Sequence, residues 1–214
     1  MNFFNSNVYR PENHNSANVS SSELRLADKT NTYVFYGLGS VSRKYNEALS
    51  PEFGYKYVLV GGKISGNFIM VGEHDFYSDK YDPNDMGFLL YNNYITDELT
   101  LGYNIYKPVW KMLDWYNELV FKYEQQYKPR SFSKFEIEYS TRSTFKNHLT
   151  MWYNASTTPV ETTNFYEPRV DGWYYNRPPF YFMNLGLSPD YRHRFVVDAN
   201  GGFLSCNGLN QFNY

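Results

Sequence analysis

The chain has 214 residues, with 20 Lys plus Arg against 22 Asp plus Glu, and its net charge of -2 gives no electrostatic basis for a nucleic acid or an anionic membrane as partner. Its one cysteine, Cys206, excludes an internal disulfide and agrees with a reducing compartment. Aromatic residues reach 21%, with 23 Tyr and 17 Phe; Tyr pairs a large ring with a hydrogen-bonding hydroxyl, which suits surfaces packed between molecules as well as an aromatic-rich core.

Residues 1–31 are rich in Asn and Ser and poor in apolar side chains, the composition of an extended N-terminal arm. Such an arm is expected to make inter-subunit contacts, through Phe3, Phe4, Tyr9 and Arg10. The N-terminal stretch has neither a basic start nor a continuous apolar centre, and no run of 18 apolar residues follows anywhere. A cytosolic protein without a membrane partner is therefore expected.

Residues 32–214 read as a single β-rich domain. Thr32–Tyr36, Tyr55–Val60, Asn67–Val71 and Gly87–Tyr91 are β-branched or aromatic runs separated by glycine-containing turns, the pattern of successive strands, with Gly61–Asn67 as a hairpin connection. Then the pattern changes. From Ile105 to Tyr127, the residues Ile105, Val109, Met112, Leu113, Tyr116, Leu119, Val120 and Tyr123 recur at steps of three and four, which predicts a long helix at about 106–127. Pro108 fits its first turn and Lys128-Pro129 its end. Trp110, Trp115 and Phe121 exceed what one core-facing stripe needs, and are expected to face another copy of the chain.

After that segment, Phe135–Tyr139 alternates apolar and charged residues, a strand with one wet face. Leu149–Tyr153, Phe180–Leu185 and Arg194–Val197 are further strand candidates, and Thr157–Pro179, holding four prolines, is a surface connection. The fold class expected is α+β: an antiparallel β-sandwich packed against one long helix, preceded by the extended arm.

The chemistry-bearing motifs fail on spacing. Gly37-Leu38-Gly39 has Ser42 where a dinucleotide fingerprint needs glycine, and Gly62-Lys63 is followed by Ile64 where a phosphate loop needs Ser or Thr. Asp79, Asp82 and Asp85 read as a solvated turn, because Met86 and Asn93 occupy calcium-ligand positions. In Glu73-His74-Asp75, neighbours along a strand point to opposite faces and do not converge. His14, His74, His148 and His193 show no metal-ligand spacing, and Cys206 reads as a structural thiol. Arg192-His193-Arg194 is a compact cationic cluster for an anion or for salt bridges. No catalytic constellation, cofactor or metal is expected.

Phe4-Asn5-Ser6 followed by Tyr9, the Asn-rich stretch after it, the aromatic strand Tyr33-Val34-Phe35-Tyr36 and the C-terminal run Phe195–Asn200 resemble the cypovirus polyhedrins. That resemblance implies a structural matrix protein of viral occlusion bodies in the host-cell cytoplasm. It implies trimers packed in a crystalline lattice around virions, without enzymatic activity or a specific nucleic-acid partner. Tyrosine ionisation near pH ~10 would then dissolve the lattice. Trp173, Tyr174 and Tyr175 join the expected lattice contacts. With Trp152 and Tyr153 they are also the stacking platforms of an alternative reading, a secreted-type carbohydrate-binding module; a viral capsid component is a third.

Overall fold

A computed structural model describes residues 1–10, 15–46, 49–170, 172–206 and 209–213. The α+β expectation is overturned: among the described residues there is no helix, and the chain is all-β. The strands are β1 (Asn2–Arg10), β2 (Asn15–Ala27), β3 (Tyr33–Asn46), β4 (Leu49–Lys63), β5 (Phe68–Tyr77), β6 (Tyr94–Tyr103) and β7 (Met112–Gln126). They continue as β8 (Ser131–Phe145), β9 (Thr150–Thr158), β10 (Thr162–Asn164), β11 (Tyr175–Arg177), β12 (Phe180–Ser188), β13 (Ala199–Cys206) and β14 (Leu209–Asn213). One sheet follows chain order, β1-β2-β3-β4-β5-β6-β7-β8-β9-β12-β13-β14, while β10 and β11 pair separately. Several strands run to 13–15 residues, far beyond the five or six of an ordinary strand.

The segment expected as a helix is a hairpin. Ile105 bridges Trp115 and Val109 bridges Met112, with Trp110 at the turn in a left-handed conformation (φ 52°). The helical spacing was a coincidence of a strand that alternates: Leu113, Trp115, Leu119, Phe121 and Tyr123 share one parity, and Asp114, Glu118, Lys122 and Glu124 the other. Charged residues at every second or fourth position fit a period of two better than the mixed-parity stripe fits 3.6. Residues 1–31, read as an arm, contain β1 and β2, paired antiparallel from Asn2↔Glu23 to Arg10↔Asn15. Gly87–Tyr91 and Arg194–Val197, read as strands, lie in connections.

The β2–β3 turn shows why the chain reverses where it does. Asp28 accepts hydrogen bonds from the amides of Thr32 (2.6 Å) and Tyr33 (2.8 Å) and from the Thr30 hydroxyl, and Asn31 takes a positive φ of 51°. The Thr30 hydroxyl and then the Tyr33 amide hold the Asp28 carboxyl below its usual range. A depressed carboxyl contributes order that is present above the unfolded value of about 3.9 and is lost as pH falls through the folded value. Amide NMR of Thr32 and Tyr33 is therefore expected to show the turn opening on acidification below about pH 4, with Asp28→Ala showing the open spectrum already at neutral pH.

Contacts group the chain into two units: residues 1–62, 72–97 and 124–133, and residues 63–71, 98–123 and 134–214. In neither does a conventional core dominate. Among the described residues the buried apolar side chains are Ala17, Phe76, Tyr81 and Ile95, whereas buried polar ones include Ser40, Ser42, Ser78, Thr96, Gln125, Ser133 and Thr158. The accessible surface is 14229 Å². A water-soluble monomer of 25.4 kDa is expected to expose about 10,300 Å².

Candidate functional site

In the second unit, the cross-strand register sorts β8, β9, β12 and β13 into two chemically opposite faces. One face carries Ile137, Tyr139, Thr141, Met151, Tyr153, Ala155, Tyr181, Met183, Leu185, Leu187 and Phe203. Tyr181, Met183 and Leu185 on it are 53%, 42% and 51% exposed. The other face carries the rungs Glu138–Ser156–Phe182–Leu204, Ser140–Asn154–Asn184–Gly202 and Arg142–Trp152–Gly186–Asn200, polar but for Phe182, Leu204 and Trp152. Apolar side chains thus stand in the open while carboxylates, amides and a guanidinium line the opposite surface, the reverse of a half-wet soluble sheet.

Within the first unit the same division appears. Leu26 pairs with Phe35 and Leu24 with Gly37, and the open side of Gly37 meets Leu59 at 3.6 Å; all four side chains other than glycine are exposed. The opposite face holds Ser40, Ser42 and Lys44. Onto it folds the β5–β6 connection, residues 78–93. Tyr81 is 3% exposed with its hydroxyl 3.0 Å from Ser40 Oγ, and the Asp82 amide donates to Ser42 Oγ at 3.0 Å. Lys44 pairs with Asp82 and Asp85, Arg10 pairs with Asp85, and Lys128 reaches Asp79. The three aspartates read as a solvated turn are therefore the ionic anchors of an infolded loop. Tyr77 stacks on Tyr94 at 4.4 Å beside it, with the Lys56 ammonium over the Tyr77 and Tyr81 rings.

The polar face of the second unit carries three grooves that share lining residues. The middle one, about 360 Å³, is bordered by Glu118, Ser140, Arg142, Trp152 and Asn154. Another, about 590 Å³, adds Ser188 and Asn200 beside Arg142 and Trp152, and the third, about 230 Å³, adds Glu138 and Ser156.

The whole chain, residues 1–214, matches a family described as Domain of unknown function (DUF5916). It belongs to that family. No curated protein and no solved structure matches this DUF5916 chain.

The residues singled out from the sequence are dispersed over it. Phe3, Phe4 and Tyr9 are exposed on β1, with Phe4 on the face opposite the other two, and Arg10 is held by Asp85. Trp110 is 72% exposed at its turn under the Lys111 ammonium, and Phe121 is half-buried in β7. Trp115 donates its indole N–H to Thr141 Oγ1 at 2.9 Å. Trp173, Tyr174 and Tyr175 are exposed beside or within β11. In the cationic cluster, Arg192 grips Asp190 through Nε (2.8 Å) and Nη2 (2.6 Å), which holds that carboxyl well below the usual range, and Arg194 lies over Phe195. His74 Nδ1 is 2.6 Å from Asp97 Oδ1 and its ring stacks on Tyr57. His14 lies outside the described residues.

The grooves were missed by motif reading because their residues are spread over β7, β8, β9, β12 and β13. Part of their signal was Glu138 in the alternating run Phe135–Tyr139, read from the sequence only as a strand with one wet face. The Trp115 bond offers a local check on the apolar face: Thr141→Val is expected to lower stability by about 1 kcal/mol, read as a denaturation midpoint, since it leaves a half-buried indole N–H without its acceptor.

Proposed function

We propose that the chain forms the wall of a membrane-spanning β-barrel, its apolar face in lipid and its polar face against a water-filled lumen. The observation carrying this reading is the alternation of exposed Tyr181, Met183 and Leu185 with Asn184 and Gly186 on long antiparallel strands paired in sequence order. Lipid-crossing strands need about 9–11 residues and alternate apolar-out, polar-in, and closure satisfies every backbone group between strands. The surface of 14229 Å² fits this as well, because lipid rather than a packed core covers the apolar side chains. Among the described residues no helix is long and apolar enough to cross a membrane, a rule that does not bear on strands. The infolded 78–93 connection would narrow such a lumen.

The test is refolding of the purified chain with phosphatidylcholine vesicles, followed by flotation and protease digestion. Co-flotation with protected strands supports the barrel. A chain that stays in the aqueous fraction, or deposits as dense particles that redissolve above pH ~10, overturns it, and the second outcome supports the occlusion-body lattice instead.

A further inference from the structure

We propose that the groove tract on the polar face of the second unit is a binding track for neutral oligosaccharides. The proposal deepens the barrel reading, on which its route of access rests. Its centre is Trp152. A Cβ on the facing Gly186 would come within 2.0 Å of Trp152 Cζ2 and 2.1 Å of Cε2, so the indole lies flat across a glycine that leaves room for it. A ring seated over that glycine and bordering two of the grooves offers the platform on which the apolar face of a pyranose stacks.

Around it stand groups that bind vicinal hydroxyls by paired hydrogen bonds. Asn154 occupies the next rung, Glu118 and Arg142 face the same groove, and Glu138 lies beyond. Among the described residues Glu118, Glu138 and Arg142 have no ion-pair partner, and all three are exposed toward the tract. Two carboxylates against one guanidinium disfavour a phosphate-rich or polyanionic ligand, and the amides and hydroxyls disfavour an apolar one. From Glu138 to Thr144 the strand runs about 20 Å, which takes more than one sugar ring end to end.

Calorimetry of the full chain in detergent micelles, titrated with maltohexaose, xylohexaose and oligogalacturonate, tests this. At least one neutral hexasaccharide is expected to bind, with Trp152→Ala weakening it about tenfold and Trp152→Phe retaining most of it. Arg142→Gln, on the surface of the tract, is a second variant that does not depend on tolerance at Trp152. Absence of neutral-saccharide binding, preference for oligogalacturonate, or binding that neither Trp152→Ala nor Arg142→Gln weakens would overturn the track. Micelles keep the two readings separable: binding by a chain that fails to enter vesicles removes the barrel alone, and vesicle insertion without binding removes the track alone.

Discussion

Leu185→Arg is expected to block insertion into vesicles, while Glu138→Arg on the opposite face leaves insertion intact. Leu185 lies between Tyr153 and Gly201 on the exposed apolar face, 51% exposed, so in water a charge there would be nearly free. In a bilayer it is not. Arginine on the lipid side of a membrane strand costs about 2–4 kcal/mol near the midplane and little at the interfaces. Glu138 already carries a charge on the polar face, and reversing its sign leaves the apolar face untouched. Folding titrations of both variants with vesicles and in urea alone give the comparison. Equal behaviour of the two variants in vesicles would sink the two-face reading.

Gly54→Ala is expected to destabilise the first unit by about 3 kcal/mol and to release the 78–93 connection. A Cβ at this position would stand 2.1 Å from the Lys80 carbonyl oxygen and 2.2 Å from Tyr81 Cα. Both obstacles are backbone, so neither can rotate away as the end of a flexible side chain would. The loop must lift, and its lifting removes the Tyr81–Ser40 and Asp82–Ser42 hydrogen bonds together with the ion pairs to Lys44. Limited trypsin digestion reads the outcome at Lys80, whose side chain is exposed but whose backbone carbonyl is seated against Gly54, and which is expected to be cut faster in the variant. Gly39→Ala is the control, since a Cβ there meets nothing within 4 Å. Resistance of Gly54→Ala to trypsin at Lys80 would show that the seat is looser than these distances require.

Much of the β-structure was legible in the sequence. Tyr55–Val60, Phe135–Tyr139 and Phe180–Leu185 fall inside observed strands, and Thr32–Tyr36 and Leu149–Tyr153 do so from their second residue, because β-branched and aromatic composition with period-two polarity is a local property. The 105–127 segment was misread for a physical reason as well. In a chain this aromatic, apolar residues are dense enough that a strand of alternating parity also offers matches at steps of three and four. Asp114, Glu118 and Lys122, four apart, suit either period, and the pair Lys122 and Glu124, two apart, is what favours the strand. The absence of an 18-residue apolar run argued against a membrane, yet that rule concerns helices; a strand facing lipid on one side needs apolar residues only at alternate positions.

The candidate track was illegible for a different reason. Glu118, Glu138, Arg142, Trp152, Asn154 and Gly186 come from four strands, and their convergence is set by register rather than by spacing within any one of them. The infolded loop was half legible: Asp79, Asp82 and Asp85 marked a polar connection, but Lys44, Arg10 and Lys128, which hold it, are remote in sequence.

Pairing of strands with their neighbours in sequence has an evolutionary consequence. A hairpin such as β2–β3 carries its own register, its own turn and one strip of each face, so it would be a self-sufficient increment of such a wall. Duplication or loss of such increments would widen or narrow the structure in steps of two strands without redesigning the rest. Relatives of different length are then expected to differ by whole hairpins, with insertions of other sizes confined to connections such as residues 78–93.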